Sequence, residues 1–353
     1  MTKKNFISIV FFSVSVALFY YVLKDLKYKD FIKQSSKVEW KMVGLSAVCM
    51  ILSTWFRNLR WLILFRPLGY KIKKSHALYA LLLSYPANLL IPQSSFFVRA
   101  SYLKKMSGVP FGPCLGTIMA EKLIDGIVVF GLFFVFLFAN FAFDFSFFNA
   151  HIFTIFLAIT ILIVLCLSIF FVKINLNKFW IKTKNIVINQ IQGFKIGLKT
   201  SKSIDNKKFF FLYTVLIWLP YIAIFYFLLK GSVLKESIGF WLPTELAVMA
   251  NIGWIFPSQA GIGSYHFFIN KIMILYGFDT IKGVFFAFFS HSIITFCDII
   301  FGSIVVIINF RVLLNFLFLK YIQNNTNLKY SRKYTLVYLL TLLFKSKKKL
   351  VVE

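Results

Sequence analysis

The sequence predicts an all-α fold, a polytopic bundle of transmembrane helices in which two elements are re-entrant or broken. Three observations predict it. Apolar residues make up 59% of the 353 positions and charged residues only 15%, against about 25% charge in ordinary soluble domains, and the mean hydropathy is +0.79. Apolar runs long enough to cross a bilayer, which takes ~20 residues, follow one another along the chain. Two of the runs are interrupted by Pro and Gly in corresponding places. No polar, mixed-charge stretch of about 100 residues is left to fold a soluble catalytic domain. Disordered and secreted disulfide-rich classes are excluded on the same composition. Cys49, Cys114, Cys166 and Cys297 all fall inside apolar runs without paired spacing, so they read as small core residues.

Each element follows from its own residues. Phe6 to Leu23, after Lys3 and Lys4, has no small-residue cleavage site and is read as a first span rather than a signal peptide. Met42 to Phe65 is the second, carrying Arg57-Asn58-Leu59-Arg60 and closing on Arg66-Pro67, whose arginine suits snorkelling to the cytoplasmic face. Ser75 to Ile91 is short for a span and is cut by Pro86 and Pro92, which predicts a re-entrant or broken helix. Pro113 to Phe138 is a span with Glu121, Lys122 and Asp125 near its start, and His151 to Val172 is a clean one. Phe209 to Leu229, containing Pro220, returns across the bilayer. Leu242 to Phe278 is broken by Pro243, Gly253, Pro257, Gly261 and Gly263, and reads as a re-entrant hairpin or two half-helices. Gly283 to Asn309 is the last span. The sum is six full spans and two interrupted elements.

Charge orients the chain. The 40 Lys and Arg against 12 Asp and Glu give +28, and the basic residues sit in short clusters beside apolar runs, which fits anionic lipid headgroups rather than nucleic acid. Nine lysines and one acid between Lys173 and Lys208, and nine basic residues from Arg311 to Lys349, mark cytoplasmic stretches. Both termini are then cytoplasmic, and residues 1–310 form the membrane domain with 311–353 a basic cytoplasmic tail. The loop Lys24 to Lys41, with six lysines and three acids, falls outside in this topology, against the tendency. Tyr334 to Phe344 is too short to span and reads as an interfacial anchor.

The interrupted elements resemble each other: Ala87-Asn88-Leu89-Leu90-Ile91-Pro92 in one, Ala250-Asn251-Ile252-Gly253-Trp254-Ile255-Phe256-Pro257 in the other. Each leads through a Gly-containing turn, at Gly108 and Gly277, into a long span bearing ionisable residues, which points to an internal repeat. Such paired, interrupted segments are the best sequence pointer to a transporter-type binding site, because the freed backbone groups must face protein or a cavity.

Ionisable side chains in a span cost about 2.5–3.5 kcal/mol each on insertion scales, so they need partners. Glu121 and Asp125 lie four apart on one helix face, where like charges repel; a cation must lie between them or one must be protonated. Arg57 and Arg60 form a basic face, and Arg99 follows the first interrupted element. His291, Thr295 and Asp298 make a polar stripe on the last span. Each group has two readings. One is an intramembrane clamp, with Glu121 and Asp125 held by arginines or Lys122, and His291 paired with Asp298. The other is a hydrophilic cavity whose arginines meet phosphate and whose carboxylates meet a cationic or hydroxyl-rich part. Asn88, Asn251 and His266 fall beside the interruptions, and Gly261 and Gly263 provide a bend or close helix approach. His76 and His151 sit at span edges and read as interfacial. No nucleotide, metal-hydrolase or serine-hydrolase motif occurs, so neither metal nor cofactor is expected.

Two stretches resemble a known family, the transmembrane region of lysylphosphatidylglycerol synthases, which also occurs as stand-alone flippase-like membrane proteins. The first runs from Asn88-Leu89-Leu90-Ile91-Pro92 through Val98-Arg99-Ala100 and Gly108-Val109-Pro110-Phe111 to Gly116-Thr117-Ile118-Met119-Ala120-Glu121-Lys122-Leu123-Ile124-Asp125. The second, Pro257-Ser258-Gln259-Ala260-Gly261-Ile262-Gly263, is similar to the family's PSPGGxG turn, and Arg60-Trp61 resembles an early motif. Departures stand at Ser95-Phe96, where the family has Gly-Glu, at Lys122 for arginine, at Gln259-Ala260 for Pro-Gly, and at His266 for an acid.

The resemblance implies a lipid translocase of a prokaryotic cytoplasmic membrane, handling an anionic or aminoacylated phospholipid or a polyprenyl-linked glycan. Its substrate would be held by Arg57, Arg60, Asn88, Arg99, Glu121, Asp125, Asn251, Gly261, Gly263, His266, His291 and Asp298. With the basic tail standing where full-length synthases carry a soluble aminoacyl-transferring domain, synthase activity is not expected. The alternatives are an intramembrane glycosyl- or lipid-modifying transferase using Glu121, His291 or Asp298 as base, and a non-catalytic subunit of a cell-envelope assembly complex.

Overall fold

A computed structural model of the protein describes residue 20 and residues 34–91, 94–141, 192–197, 199–200, 204, 206–232, 239, 241–255 and 259–309. The expected spans at Phe6–Leu23 and His151–Val172, the basic loop and the tail anchor lie wholly or mainly outside them. The chain divides into two compact units, Met1–Ser303 and Ile304–Glu353. Among the described residues there are helices and no strand. In chain order the helices are α1 (Trp40–Phe65), α2 (Lys74–Leu90), α3 (Ser95–Ser107), α4 (Phe111–Phe141), α5 (Lys207–Gly231), α6 (Trp241–Ile255), α7 (Ser264–Leu275) and α8 (Thr280–Ile308).

Three segments, Trp40–Leu68, Lys207–Gly231 and Thr280–Ile308, are long and apolar enough to cross a membrane by length and composition. The 31 residues of α4 reach about 46 Å at 1.5 Å per residue. With the run of apolar segments, this makes the protein an integral membrane protein with an all-α bundle.

Helix α1 packs along α5 over most of its length. Gly231 lets their ends close: a Cβ there would lie 2.9 Å from the Met42 Cβ. Ser53 Oγ donates to the Ile217 carbonyl at 3.0 Å, in the turn that Pro220 disturbs by lacking an N–H. Apolar side chains of α5, α6, α7 and α8, among them Ile217, Phe225, Leu246, Tyr265 and Phe286, form one core cluster; Trp61, Leu64, Ala100, Leu103, Cys114 and Ile118 belong to a second, around α1, α3 and α4.

Of the two prolines expected to cut the first interrupted element, Pro86 does not break it and the break comes just before Pro92. Pro86 lies inside α2 without ending it. Its ring sits against Gly302 of α8, where any Cβ would overlap it, and the Leu82 carbonyl, which Pro86 deprives of its helical donor, approaches the same glycine. The break comes at Ile91, extended at φ −135° and ψ 119°, as the residue before Pro92 must be. Helix α3 then packs back on α2.

The second element has the same plan. Helices α6 and α7 pack together across a break that contains the turn Gln259–Gly261, and that turn touches α2. Gly253 permits the approach, since a Cβ there would lie 2.7 Å from the Tyr265 Cα. The series runs 17, 13 and 31 residues for α2, α3 and α4, and 15, 12 and 29 for α6, α7 and α8. Gly108 at φ +69° and Gly277 at φ +81° introduce the long helices, in the left-handed conformation that glycine adopts without steric cost. Both interrupted elements are thus a pair of short helices followed by a long one.

Candidate functional site

The ionisable residues of α1, α3 and α4 converge. Arg57 and Arg60, one turn apart on α1, face Glu121 and Asp125, one turn apart on α4. Arg57 Nη1 donates to Asp125 Oδ2 at 2.6 Å and to Glu121 Oε1 at 3.2 Å, so the cation demanded by the two carboxylates lies between them. Arg60 Nη2 donates to Asp125 Oδ1 at 2.6 Å and stands 4.0 Å from Glu121 Oε1. From α3, Arg99 Nη2 donates to Glu121 Oε2 at 2.6 Å. Charge-assisted bonds of this length are the strong class.

Packing holds the arginines in place. The Arg99 guanidinium lies 3.9 Å from the centroid of the Trp61 ring, a cation–π contact on the residue following Arg60. The Trp61 indole N–H donates to Thr117 Oγ1 at 3.2 Å, and that hydroxyl donates to the Cys114 carbonyl at 2.8 Å. Arg60 Nη1 reaches Thr214 Oγ1 at 3.4 Å, and its guanidinium lies 5.7 Å from the Phe210 centroid. Asn58 Nδ2 donates to the Lys74 carbonyl at 3.1 Å, tying α1 to the start of α2.

Three guanidinium cations against two carboxylates leave the cluster at net +1. Glu121 and Arg60 are fully buried and Arg99 nearly so, while the Arg57 side chain is 18% exposed. The Nε atoms of Arg60 and Arg99 are buried without a hydrogen-bond partner among the described residues. Lys122, which the sequence offered as a partner for the acids, is exposed.

A chain of less charged groups leads on from Arg57. Tyr85 of α2 and Tyr221 of α5 each lie within electrostatic reach of both Arg57 and Asp298. Tyr85 Oη and Thr54 Oγ1 are 3.5 Å apart, and Tyr221 is hydrogen-bonded to the Asn251 amide, which also donates to the Ala247 carbonyl at 2.9 Å. Sequence reasoning missed both tyrosines. The available signal was their position, each adjacent to a proline within a helix, Pro86 and Pro220.

The remaining predicted residues serve the interruptions. Asn88 Oδ1 accepts from the Ser95 N–H at 2.9 Å, closing the first break. At the second, Gly261 and Gly263 take φ +72° and +88°, and the Ser264 hydroxyl donates to the Gly253 carbonyl at 2.8 Å. His291 does not pair with Asp298. Its Nε2 is 2.7 Å from the Ala260 carbonyl, and its ring stacks on Trp254 at 5.3 Å and meets His266 at 4.7 Å. The physical reason is placement: the two share a face of α8 but stand seven residues apart, nearly two turns or about 10 Å along the axis, so His291 reaches the second break while Asp298 lies within electrostatic reach of the tyrosines. Among the described residues no three His, Cys, Asp or Glu side chains converge as a metal site.

One family profile, the lysylphosphatidylglycerol synthase TM region, matches residues 5–302. No curated protein and no solved structure matches the chain. A chain matched from residue 5 to residue 302, across both interrupted elements and every member of the buried charge cluster, belongs to the lysylphosphatidylglycerol synthase transmembrane-region family, a flippase-like family of membrane proteins tied to lipid modification.

Proposed function

We propose that the protein is a lipid translocase of the cytoplasmic membrane, moving an anionic or aminoacylated phospholipid or a polyprenyl-linked lipid between leaflets, with Arg57 meeting the headgroup phosphate. The observation that carries this reading is the uncompensated positive charge of the Arg57, Arg60, Arg99, Glu121 and Asp125 cluster inside a membrane bundle, most exposed at Arg57, 18%, and its partner Asp125, 11%. A phosphate oxygen is the complement of such a group, because a guanidinium fork binds it in two places.

The cluster has two duties. Arg60, Arg99 and Glu121 are sealed in the interior and fix α3 and α4 against α1, and breaking one such buried pair costs about 3–5 kcal/mol. Arg57 has room to exchange a carboxylate contact for a ligand. The tyrosines, Asn251 and the interrupted helices border the route beyond it.

The test is scrambling of NBD-labelled phosphatidylglycerol in proteoliposomes, read by dithionite quenching. Wild type is expected to expose label from the inner leaflet. Arg57→Ala is expected to slow this about tenfold or more, the loss of a charge-assisted hydrogen bond worth about 1.5–3 kcal/mol. Equal rates in wild type, Arg57→Ala and Glu121→Gln would remove these residues from the site.

A further inference from the structure

Asp298 is the carboxylate of the polar stripe on α8, and it stands outside the charge cluster as His291 of the same stripe does. It is half-buried on a membrane-spanning helix, and no ion pair or hydrogen bond engages its carboxyl among the described residues. One turn before it, the Thr295 hydroxyl is buried and also without a hydrogen-bond partner among the described residues. The titratable groups within electrostatic reach of Asp298 come from several helices: Tyr85 from α2, Tyr221 from α5, and Cys297, its neighbour on α8. The cation that both tyrosines also feel is Arg57 of α1, and it is committed to Glu121 and Asp125. Asn251 of α6 bonds to Tyr221 from the far side.

A carboxylate in a span without a counter-ion is costly and is a functional site by default. Two ligands suit it, a proton or a metal cation. Hard cations are held by about six oxygens. Here the oxygens are one carboxylate, two phenols and a threonine hydroxyl, with a guanidinium facing the same tyrosines. A proton needs one oxygen, and the carboxylate supplies it.

We infer that Asp298 is a proton-binding carboxyl, loaded and emptied in each transport cycle, which couples lipid movement to the proton gradient across the membrane. The proton adds to one carboxylate oxygen and leaves from it; no other bond changes. The α8 carboxyl is then neutral while the helices rearrange. The coupling rests on the lipid-translocation reading, and the proton site itself does not.

Two measurements separate them. Dicyclohexylcarbodiimide attacks protonated carboxyls in apolar surroundings, so in purified protein the peptide containing Asp298 should be modified, increasingly as pH falls. Modification should drop to background in Asp298→Asn and persist in Asp298→Glu, which also reports on folding. Absence of modification at every pH, or indifference to pH, overturns the proton site. In proteoliposomes with NBD-phosphatidylglycerol, an imposed pH gradient should make wild-type transport directional, and Asp298→Asn should abolish the direction. Transport that ignores the pH gradient, or follows a sodium gradient instead, overturns the coupling and leaves the lipid reading standing. Modified Asp298 with no lipid movement in wild type overturns the lipid reading, and the coupling with it, and leaves the proton site standing.

Discussion

Ala260 is held in the left-handed region at φ 54°, where a residue bearing a Cβ is strained by about 1–2 kcal/mol. The family turn that this stretch resembles has glycine there. The Ala260 carbonyl meets His291 at 2.7 Å, and the next residue, Gly261, lies under the Trp254 ring, so neighbours on two helices hold the turn in shape. Ala260→Gly is therefore expected to be at least as stable as wild type, and Ala260→Val to lose about 1–3 kcal/mol, read as thermal unfolding in detergent; a valine variant as stable as wild type would refute the strain. At this scale the sequence was half legible. The spacing of Glu121 and Asp125 called for either a cation or a protonated carboxyl, and the structure supplies the cation, Arg57. Nothing in the spacing could assign Arg99 to Glu121 or lay it over Trp61, because those choices depend on how α3 lies against α1. The same holds for His291, whose partner is a backbone carbonyl that no side-chain pattern announces.

Among the elements, composition located helices and Pro/Gly located interruptions, but of the two prolines read as cutting the first element the helix breaks just before Pro92 and runs through Pro86. A proline is tolerated within a helix when its displaced carbonyl and ring find a place, and here the place is Gly302, more than two hundred positions along the chain. That dependence is testable as a coupling. Gly302→Ala is expected to lower stability by about 1–3 kcal/mol through overpacking, and Pro86→Ala in the same chain to restore most of it, because alanine lacks the ring carbons that the new Cβ would overlap. Survival of monodisperse protein after heating measures both. A double variant no better than Gly302→Ala would show that this contact does not limit the packing. Helix α3 was the element least visible in advance: its 13 residues include Arg99, Lys104 and Lys105, and its polarity concealed that it is the returning arm of a helix pair.

Within the unit Met1–Ser303, two halves of like plan each carry a helix pair and a long helix, and the short Ala-Asn match between them was the trace of this in the sequence. The halves have diverged in charge. The first holds the sealed arginines and carboxylates, and the second holds an aromatic and histidine stack around its break with Asp298 beyond. A guanidinium keeps its proton at every physiological pH, so the surplus charge of the first half is permanent. Fixed positive charge along a polar route excludes cations, as it does in selective pores. Proteoliposomes containing wild type should hold an imposed sodium gradient, and Arg57→Gln, which brings the cluster to zero, should dissipate it faster; equal decay would show that the charge excludes nothing. In the lipid-translocation reading, the surplus arginine is also an electrical seal, since a fixed cation in a polar route admits a phosphate and turns inorganic cations away.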